Sequence, residues 1–438
     1  MDLYQHNYNL LIKKIRNKSF RIGIVGLGYV GLPLCVRFIK KNISVYGIDN
    51  DIKKISSLRK GKSYIASVSG KYLNYFKDNK LNLSKNYSII SKCDVIIICL
   101  PTPLKGNNVP DLDYLKRASE EIKPYLKEYQ VLILESTVYP GTTSIIFKDF
   151  LKKFNIGSNF FIGYSPEREN PGDKNFSYNR TPKVISGYTQ KCLKLLDLIY
   201  SFTVKKRILT KSIKVAETSK LLENLYRSVN IALVNELKII CHVLDIDTYD
   251  VIKTASTKNF GFQTFMPGPG LGGHCIPIDP YYLSWISKKN GYFPRLIDAA
   301  GDINTKIPHW IIKQIKKKIQ NKNNIKILIL GISYKKNIDD DRESPAYEIM
   351  KVFHKNRIKF EYSDPFFKKI RIGRNINYKK KSIVINSKNL NKFNAAIIVA
   401  DHDSFDYHKI SKYSKVVFDT RHVYKDPKYI MCKNVVFI

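Results

Sequence analysis

The sequence predicts an α/β protein in which two parallel-sheet domains are joined by a central helical domain. From Phe20 to about residue 210, and again from about residue 319 onward, short apolar runs alternate with helix-length amphipathic segments. This alternation is typical of parallel strands covered by helices on both faces. Between these stretches, Ser212 to about Leu244 contains no glycine or proline, which predicts one long helix. A chain of 438 residues also exceeds what one hydrophobic core usually serves, in agreement with several domains.

We expect an N-terminal extension or short leading helix at 1–18, an α/β domain at 19–210, a helical domain at 211–318 and a second α/β domain at 319–438. A Pro/Gly-rich loop at Pro267–Pro280 interrupts the helical domain. The strand candidates are the short apolar runs Arg21–Val25, Ser44–Ile48, Val95–Leu100, Val131–Glu135, Phe160–Tyr164, Val184–Ser186, Lys326–Leu330, Lys359–Tyr362, Ala395–Val399 and Val416–Asp419.

The composition is that of a strongly basic globular chain. Lys and Arg total 75 against 37 Asp and Glu, a formal net charge of +38. Such an excess is typical of proteins that bind nucleic acid or an anionic surface, so a basic nucleic-acid-binding protein is one alternative. The lysines are nevertheless spread over the whole chain, and no zinc-finger spacing or RNP-type motif accompanies them. We therefore expect no nucleic-acid partner, and a basic surface equally suits a nucleotide diphosphate.

The cysteines and the apolar runs narrow the class of protein further. The 7 cysteines are scattered and include no CxxC pair, so we expect neither a disulfide framework nor a structural metal site. No apolar run approaches the ~18 residues of a membrane-spanning helix. The segment Met1–Asn7 lacks the basic and apolar regions of a secretory signal. We expect a cytoplasmic protein without membrane insertion.

A glycine-rich turn after the first strand predicts a dinucleotide-binding site. Gly26-Leu-Gly28-Tyr-Val-Gly31 follows the strand candidate Arg21–Val25 and precedes a helical segment. Gly26 permits the tight turn, Gly28 lets the backbone approach a pyrophosphate, and Gly31 allows the helix to pack closely on the strand. Asp49 ends the second strand, where a carboxylate accepts hydrogen bonds from ribose hydroxyls and repels a 2′-phosphate. The pattern predicts a Rossmann-like domain that prefers NAD to NADP; the alternative is a glycine-rich turn without a ligand.

The densest Gly/Pro segment of the chain has a cysteine near its centre. Pro267–Pro280 contains Cys275, and Asp279 follows four residues later. A loop of this composition lets the backbone approach a ligand and holds a few side chains rigidly, which favours covalent chemistry at the thiol. The alternative is a structural loop with an incidental cysteine, because such a thiol behaves as a small apolar side chain.

One face of the predicted long helix carries polar side chains. Lys220, Asn224 and Arg227 are spaced i, i+4 and i+7, so they share a face. Taken alone, such a stripe is usually solvated. Together with a reactive cysteine and a nicotinamide site, it predicts a catalytic face.

Several short motifs follow one another in the order Gly26–Gly31, Leu100–Pro103, Glu135–Gly141, Gly163–Gly172, Ala216–Lys220, Gly272–Cys275, Gly331–Lys335 and Asp340–Pro345. In this order they resemble the motifs of the UDP-glucose/GDP-mannose dehydrogenase family, from about Phe20 to the C-terminus. His274–Pro280 is similar to the bacterial branch that acts on UDP-N-acetylhexosamines. Asn259–Gly270 looks most like the UDP-N-acetylglucosamine 6-dehydrogenases of surface-polysaccharide pathways.

The resemblance implies an NAD-binding Rossmann-like domain, a central helical domain that dimerises and a C-terminal domain that binds the UDP-sugar. It also implies a four-electron oxidation of the sugar's C6 alcohol, with two NAD used per sugar. The expected assembly is a homodimer or a higher homo-oligomer.

The resemblance also assigns roles to residues. Cys275 is the expected nucleophile, with Lys220 and Asp279 transferring protons and activating water. Asn224 is expected to stabilise the oxyanion. The residues expected to line the reaction centre are Glu167 and Thr137. The expected cofactor contacts are Gly26, Gly28, Tyr29, Val30, Gly31, Asp49, Lys54, Thr102, Thr137 and Arg342. The expected substrate contacts are Arg168, Glu169, Lys220, Asn224, Arg227, Gly272, Tyr334 and Lys335.

Two departures from the family pattern bear on the substrate. The UDP-glucose branch often has a lysine where this chain has Ile278, and an arginine ahead of the glycine loop that has no clear equivalent in 259–266. Both departures disfavour UDP-glucose and leave UDP-N-acetylglucosamine, UDP-N-acetylgalactosamine and UDP-N-acetylmannosamine as alternatives. A second kind of enzyme also fits the fingerprint, a two-electron dehydrogenase of a small hydroxy acid, but it needs no nucleophilic cysteine.

Overall fold

The structure, a computed structural model, describes residues 3–65, 68, 81–168, 181–273, 275–319, 324–370, 378–429 and 432–438. The chain divides into two compact units. The first comprises Met1–Glu223 and Tyr281–Tyr292, and the second comprises Asn224–Pro280 and Phe293–Ile438.

The first unit is an α/β structure of short buried strands and connecting helices. Its strands are β1 (Arg21–Val25), β2 (Ser44–Ile48), β3 (Leu81–Ser84), β4 (Val95–Ile98), β5 (Leu104–Lys105), β6 (Val109–Pro110), β7 (Val131–Leu134), β8 (Phe161–Tyr164), β9 (Lys183–Gly187) and β10 (Arg207–Leu209). Its helices are α1 (Leu3–Arg16), α2 (Gly31–Ile39), α3 (Ile52–Arg59), α4 (Asp113–Ile122), α5 (Thr142–Ile146), α6 (Lys148–Lys153), α7 (Gln190–Tyr200) and the start of α8 (Ile213–Val243).

Among the described residues, the strands of the first unit form one sheet in the order β10-β9-β8-β7-β4-β1-β2-β3, and β5 pairs with β6 separately. β4 and β7 are buried at every position, as their continuous apolar runs predict for strands covered on both faces. From β3 across to β8 all pairs are parallel. The carboxyl ends of β1, β2, β4 and β7 therefore meet at one edge, where ligands bind in this class of fold.

One strand pair departs from the predicted parallel arrangement. β9 runs antiparallel to β8, with Gly163 opposite Gly187 and Tyr164 opposite Ser186. A parallel pair needs a crossover connection, usually a helix, and the sequence between these strands shows no helical pattern. Among the described strands, the sheet is therefore parallel, as the sequence predicts, except at this pair.

The N-terminal residues form the leading helix that the sequence allowed. In α1, Tyr8, Leu11 and Ile15 are buried in the core of the first unit. The ring of Tyr8 lies 5.5 Å from that of Phe161 on β8. This segment is thus a packed part of the first unit.

The second unit contains a smaller parallel sheet. Its described strands lie in the order β12-β11-β13-β14-β15, and every pair is parallel. They are β11 (Lys326–Leu330), β12 (Lys359–Ser363), β13 (Ala395–Ile398), β14 (Val417–Asp419) and β15 (Val435–Phe437). The helices are the remainder of α8, α9 (Thr248–Ala255), the start of α10 (Asp279–Lys289), α11 (Arg295–Lys318), α12 (Pro345–Lys355), α13 (Ser387–Leu390) and α14 (Tyr407–Tyr413).

Alternate side chains of β11 enter two separate cores. Ile327 and Ile329 pack with apolar residues of α11 and α12. Leu328 and Leu330 pack with residues of α13 and α14. Both faces of this sheet are therefore covered, as in a Rossmann-like domain. In the described part of the chain, no helix has the length and apolar character needed to cross a bilayer.

Candidate active site

The glycine-rich turn has the geometry that a dinucleotide requires. Gly26 lies in the left-handed region (φ +92°), and a Cβ there would come within 2.6 Å of a neighbouring carbonyl oxygen. A Cβ on Gly31 would overlap the Gly26 carbonyl, whereas one on Gly28 would meet no atom within 4 Å. Val30 caps α2 without a side-chain hydrogen bond to the helix amides, and Tyr29 beside it is half-buried. The turn thus combines close packing with an open face at Gly28.

Asp49 connects the glycine turn to the end of β2. One carboxylate oxygen accepts the N–H of Leu27 at 2.9 Å, and the other accepts the N–H of Asp51 at 2.9 Å. The amine of Lys54 lies 3.0 Å from the first oxygen and remains one-third exposed. The structure thus brings the predicted contacts Asp49 and Lys54 together beside the turn.

The loops after β4 and β7 hold the next predicted contacts. The Thr102 hydroxyl donates to the Thr137 carbonyl at 2.7 Å, and the Ser136 hydroxyl donates to the Leu100 carbonyl at 2.7 Å. Glu217 on α8 accepts two backbone N–H groups and one hydroxyl from the residues that follow Thr137. Burial raises the pKa of Glu217, and these hydrogen bonds oppose the rise. Thr102 and Thr137 are therefore adjacent and tied to the long helix.

The predicted residues Glu167 and Arg168 follow β8. The backbone N–H of Arg168 donates to the Glu167 carboxylate at 2.8 Å, and its guanidinium pairs with Glu223 on α8 at 2.8 Å. Lys220, one turn before Glu223, is buried (7% exposed). Glu169, a predicted substrate contact, lies outside the described residues.

In the second unit, the cysteine loop packs directly on the loop after β11. A Cβ on Gly272 would lie 2.6 Å from the Cβ of Tyr334. Gly273 has a φ of +85° and donates its N–H to the Arg342 carbonyl at 2.9 Å. Only glycine fits these two positions, since a side chain would push the loops apart. Cys275 follows them and is exposed.

Cys275 begins a turn that leads into α10. Its carbonyl accepts the N–H of Asp279 at 2.8 Å. The Asp279 carboxylate accepts the amide N–H of Asn224 on α8 at 2.5 Å, and both residues are buried (3% and 7% exposed). Arg227, one helical turn beyond Asn224, is exposed. The cysteine loop and the polar face of the helix are therefore joined through Asn224 and Asp279.

The loop after β11 holds the remaining predicted contacts. The guanidinium of Arg342 makes a bidentate contact with the Asp340 carboxylate, at 2.9 and 2.6 Å. Burial raises the pKa of Tyr334 to about 12, with further increases from Asp340 and Cys275. Lys335, the next residue, is half-buried. Arg342 was predicted as a cofactor contact and belongs to the second unit, whereas the other predicted cofactor contacts belong to the first.

A cavity of about 390 Å³ opens in the second unit between α9, residues 264–266 and the segment after β14. Its lining combines cationic and aromatic side chains with two carboxylates. The charged and aromatic lining residues are Tyr249, Lys253, Lys336, Asp401, Tyr407, Arg421, His422, Asp426, Lys428 and Tyr429.

Three domains of one enzyme family match the chain in sequence order. The NAD binding domain matches residues 20–204, the central domain 214–306 and the UDP binding domain 328–426. The chain belongs to the UDP-glucose/GDP-mannose dehydrogenase family. The resemblance seen in the motifs is therefore confirmed.

Relatives of this dehydrogenase carry two different substrate names. A UDP-N-acetyl-D-glucosamine 6-dehydrogenase of Pseudomonas aeruginosa is 38% identical over 362 residues, covering 80% of this chain and 83% of the relative. A UDP-N-acetyl-D-mannosamine dehydrogenase of Campylobacter jejuni is 32% identical, covering 89% and 97%. The solved structure of a UDP-D-ManNAc dehydrogenase from Pyrococcus horikoshii superimposes with a TM-score of 0.83 at 29% identity, covering 95% and 98%. The fold prediction is confirmed, and the chain is a UDP-sugar dehydrogenase.

NAD is the cofactor of this dehydrogenase, and the residues of the first unit fit it. The NAD binding domain of the family spans the whole glycine turn. The open face at Gly28 leaves room for a pyrophosphate, and the N-terminal amides of α2 carry positive potential toward it. Asp49 offers a carboxylate for ribose hydroxyls at the end of β2.

Sequence reasoning missed three acidic residues that contact predicted site residues or their neighbours, namely Glu217 and Glu223 in the first unit and Asp340 in the second. Glu217 and Glu223 lie three residues before and after Lys220 on α8, and helical spacing alone places them on its side of the helix. Asp340 lies two residues before Arg342. Glu217 and Asp340 both lie within motifs that resemble those of the family, Ala216–Lys220 and Asp340–Pro345. Their positions in these motifs are the sequence feature that could have identified them.

Proposed function

We propose that this dehydrogenase oxidises the C6 alcohol of a UDP-N-acetylhexosamine, with UDP-N-acetylglucosamine preferred, to the uronic acid used for surface polysaccharide. The observation that carries the proposal is the position of Cys275. This exposed thiol follows two glycines that pack on the loop of Tyr334. It also precedes α10, whose first residue, Asp279, accepts a hydrogen bond from the Asn224 amide.

The chemistry requires a nucleophile because the first oxidation leaves an aldehyde. NAD held by the glycine turn and Asp49 would accept one hydride in each of the two oxidations. The Cys275 thiolate adds to the aldehyde carbon, forming a C–S bond, and this carbon then loses the second hydride to become a thioester. Water attacks the thioester carbonyl, the C–S bond breaks and the thiolate leaves. One alcohol, two NAD⁺ and one water thus give one carboxylate, two NADH and three protons.

The proposal assigns the surrounding groups to proton transfer and charge stabilisation. Lys220 and Asp279 exchange protons with the substrate and activate the water that cleaves the thioester. The Asn224 amide donates to the developing oxyanion, a contact that strengthens as charge accumulates. Glu167 and Thr137 line the reaction centre.

Cationic and aromatic side chains support binding of the UDP group. We assign this role to Arg168, Arg227 and Lys335, because fixed cationic donors bind a diphosphate more strongly than neutral groups do. The other proposed substrate contacts are Tyr334, Glu169 and Gly272. The cavity beside Lys336 is a second candidate for part of the UDP group, since its lining offers cations for phosphate and tyrosine rings for a base, but none of the residues assigned above lines it.

The choice of UDP-N-acetylglucosamine rests on the loop before Cys275. Phe260, Phe262 and Met266 are 73%, 41% and 43% exposed, so these apolar side chains are not core residues and can contact an acetamido methyl. Ile278 stands where the UDP-glucose branch often has a lysine. Relatives named for N-acetylglucosamine and for N-acetylmannosamine both match, so the configuration at C2 is the finer part of the proposal.

A panel of UDP-sugars tests the substrate. We expect kcat/KM for UDP-N-acetylglucosamine to exceed that for UDP-glucose by at least about a hundredfold. UDP-glucose lacks the acetamido group, so the protein groups that bind its amide are left without a partner, which costs more than loss of a methyl contact alone. NADH formation would be followed with UDP-N-acetylglucosamine, its galacto and manno isomers and UDP-glucose. Equal kcat/KM for the first and last, or a preference for UDP-glucose, would contradict the proposal, and a preference for the manno isomer would reassign the substrate.

We also propose that the protein is a homodimer formed along α8. Tyr226, Leu233, Ile240 and Leu244 are 50%, 62%, 49% and 60% exposed. The first three are spaced by seven residues, so they form one apolar stripe along the helix. A contiguous exposed apolar stripe is typical of an interaction surface, and a second copy of the same helix is the occupant that we propose.

A further inference from the structure

The second unit contains a turn of the same construction as the dinucleotide turn. Gly331, which follows β11, has a φ of +83° and donates its N–H to the Ser363 carbonyl at 2.8 Å. Asp364, directly after β12, accepts the next backbone N–H of the turn at 2.7 Å. Gly26 and Asp49 make the same contacts in the first unit, at 2.8 and 2.9 Å.

The Asp364 carboxylate nevertheless differs from that of Asp49, because each of its oxygens accepts two backbone N–H groups, whereas each oxygen of Asp49 accepts one. One oxygen accepts the N–H groups of Phe366 and Phe367 at 2.8 and 3.1 Å. The other accepts those of Ile332 and Ser333 at 2.7 and 3.2 Å. Burial raises the pKa of Asp364, but His402 and the backbone amides outweigh it, and the pKa lies below its usual value. The side chain is fully buried, so it holds protein groups instead of a ribose.

His402 connects Asp364 to the far end of the same loop. Its Nδ1 accepts the backbone N–H of Asn337 at 3.0 Å, which assigns the ring proton to Nε2 in the neutral form. Nε2 lies 3.3 Å from the Asp364 carboxylate, and both side chains are fully buried. The imidazole therefore accepts a hydrogen bond from the end of the loop and lies within ion-pair distance of Asp364, which holds the start of the loop.

The residues between these two anchors are the proposed substrate contacts Tyr334 and Lys335. On one side of them, the Ser333 hydroxyl donates to the Ile338 carbonyl at 2.8 Å. On the other, the Asn337 amide donates to Asp403 at 2.6 Å. The loop is thus fixed at both ends while its middle packs against the cysteine loop.

We propose that Asp364 and His402 are a positioning pair for the substrate loop. They hold the backbone on both sides of Tyr334 and Lys335, and so set where these side chains meet the UDP-sugar without touching it themselves. This inference rests on the proposed function for the identity of the ligand. Displacement of a binding group by about 1 Å can cost about a hundredfold, so loss of the pair has a measurable effect.

The test compares His402→Leu, which removes both contacts, with His402→Gln, which retains a donor and an acceptor. We expect His402→Leu to raise the Kd for UDP and the KM for UDP-N-acetylglucosamine at least about tenfold, with kcat reduced less and the Kd for NAD unchanged. His402→Gln is expected to restore both constants to within about threefold of wild type. Titration calorimetry with UDP and with NAD gives the two Kd values.

Ile349→Val, a conservative change in the core of the same unit, is the matched control. It should lower the melting temperature and leave the Kd for UDP unchanged.

If His402→Leu does not fold, the fallback variant is His402→Asn, whose shorter side chain can replace Nδ1 at Asn337 but not Nε2 near Asp364. The same increase in the Kd for UDP is expected for it. An unchanged Kd for UDP in a folded His402 variant that lacks the contact with Asp364 would overturn the proposal. An increase in the Kd for UDP in Ile349→Val as large as that in His402→Leu would overturn it as well. UDP binding needs no turnover, so failure of the wild type to oxidise any UDP-sugar would count against the proposed function alone.

Discussion

The proposed selection of NAD by Asp49 depends on how firmly the fold holds this carboxylate beside the open face of the glycine turn. The N–H groups of Leu27 and Asp51 orient the two oxygens, and Lys54 partly neutralises them. A 2′-phosphate at this place would meet a carboxylate, whereas ribose hydroxyls would donate to it. The position after β2 was predicted from the sequence, and the pairing with Lys54 was not, because it depends on the first turn of α3.

Asp49→Ala is expected to reduce the preference for NAD over NADP in kcat/KM by at least about tenfold, or about 1.4 kcal/mol. The change removes the repelling charge and releases the Lys54 amine to bind a 2′-phosphate. Steady-state kinetics with both cofactors measures the ratio. Asp51→Ala is the matched control, since that carboxylate caps α3 two residues later without contacting the turn. An unchanged ratio in Asp49→Ala would remove Asp49 from the cofactor site.

Cys275→Ser is expected to lower turnover to the acid by about a thousandfold or more, because a serine hydroxyl is far less nucleophilic at neutral pH. Cys432→Ser changes another cysteine of the same unit that is not fully buried, and should retain wild-type turnover. The acid product would be quantified after long incubation. Wild-type acid formation by Cys275→Ser would exclude covalent catalysis at this residue.

At the scale of helices and strands, the sequence was most informative where a pattern was long or a strand was buried on both faces. The helix predicted at Ser212 to about Leu244 is Ile213–Val243, and β1, β2 and β11 have the predicted bounds. The edge strands β3, β10 and β15 were missed, because runs of only three or four residues give too weak a periodic pattern.

The side chains of α8 show what helical periodicity alone could not predict. Lys238 is buried beside the Trp310 ring, and burial together with Arg421 lowers its pKa to about 7. Lysine is ordinarily a surface residue, so its burial depends on elements distant in sequence. Tyr226, Leu233 and Ile240 show the opposite departure. Apolar residues with this spacing predict a buried helix face, but these side chains are exposed.

Leu233→Glu is expected to convert the proposed dimer to monomer, since it places a charge in the middle of the apolar stripe of α8. Sedimentation velocity at micromolar concentration measures the mass. Lys313→Glu, an exposed change on α11, should leave the dimer intact. A monomeric wild-type protein, or a Leu233→Glu variant that sediments as a dimer, would contradict the assignment of α8.

At the scale of the whole molecule, the net charge of +38 does not by itself identify the chemistry of the chain. Many of the charges lie on exposed side chains, and several form surface pairs such as Lys306–Asp302 and Lys351–Glu348. Pairs of this kind contribute little to stability. The proposed chemistry depends instead on a few residues after the carboxyl ends of strands and on one glycine loop. Sequence reasoning identified most of these through motifs, but not the acidic residues and the histidine that hold them.

The number of NADH molecules formed per sugar tests the central claim most directly. A limiting amount of UDP-N-acetylglucosamine would be converted to completion with excess NAD, and NADH would be measured by absorbance against the uronic acid by mass spectrometry. A covalent four-electron oxidation predicts two NADH for each sugar consumed, with no accumulated aldehyde. One NADH per sugar, with an aldehyde or ketone as the product, would contradict the account and favour a simple two-electron dehydrogenase.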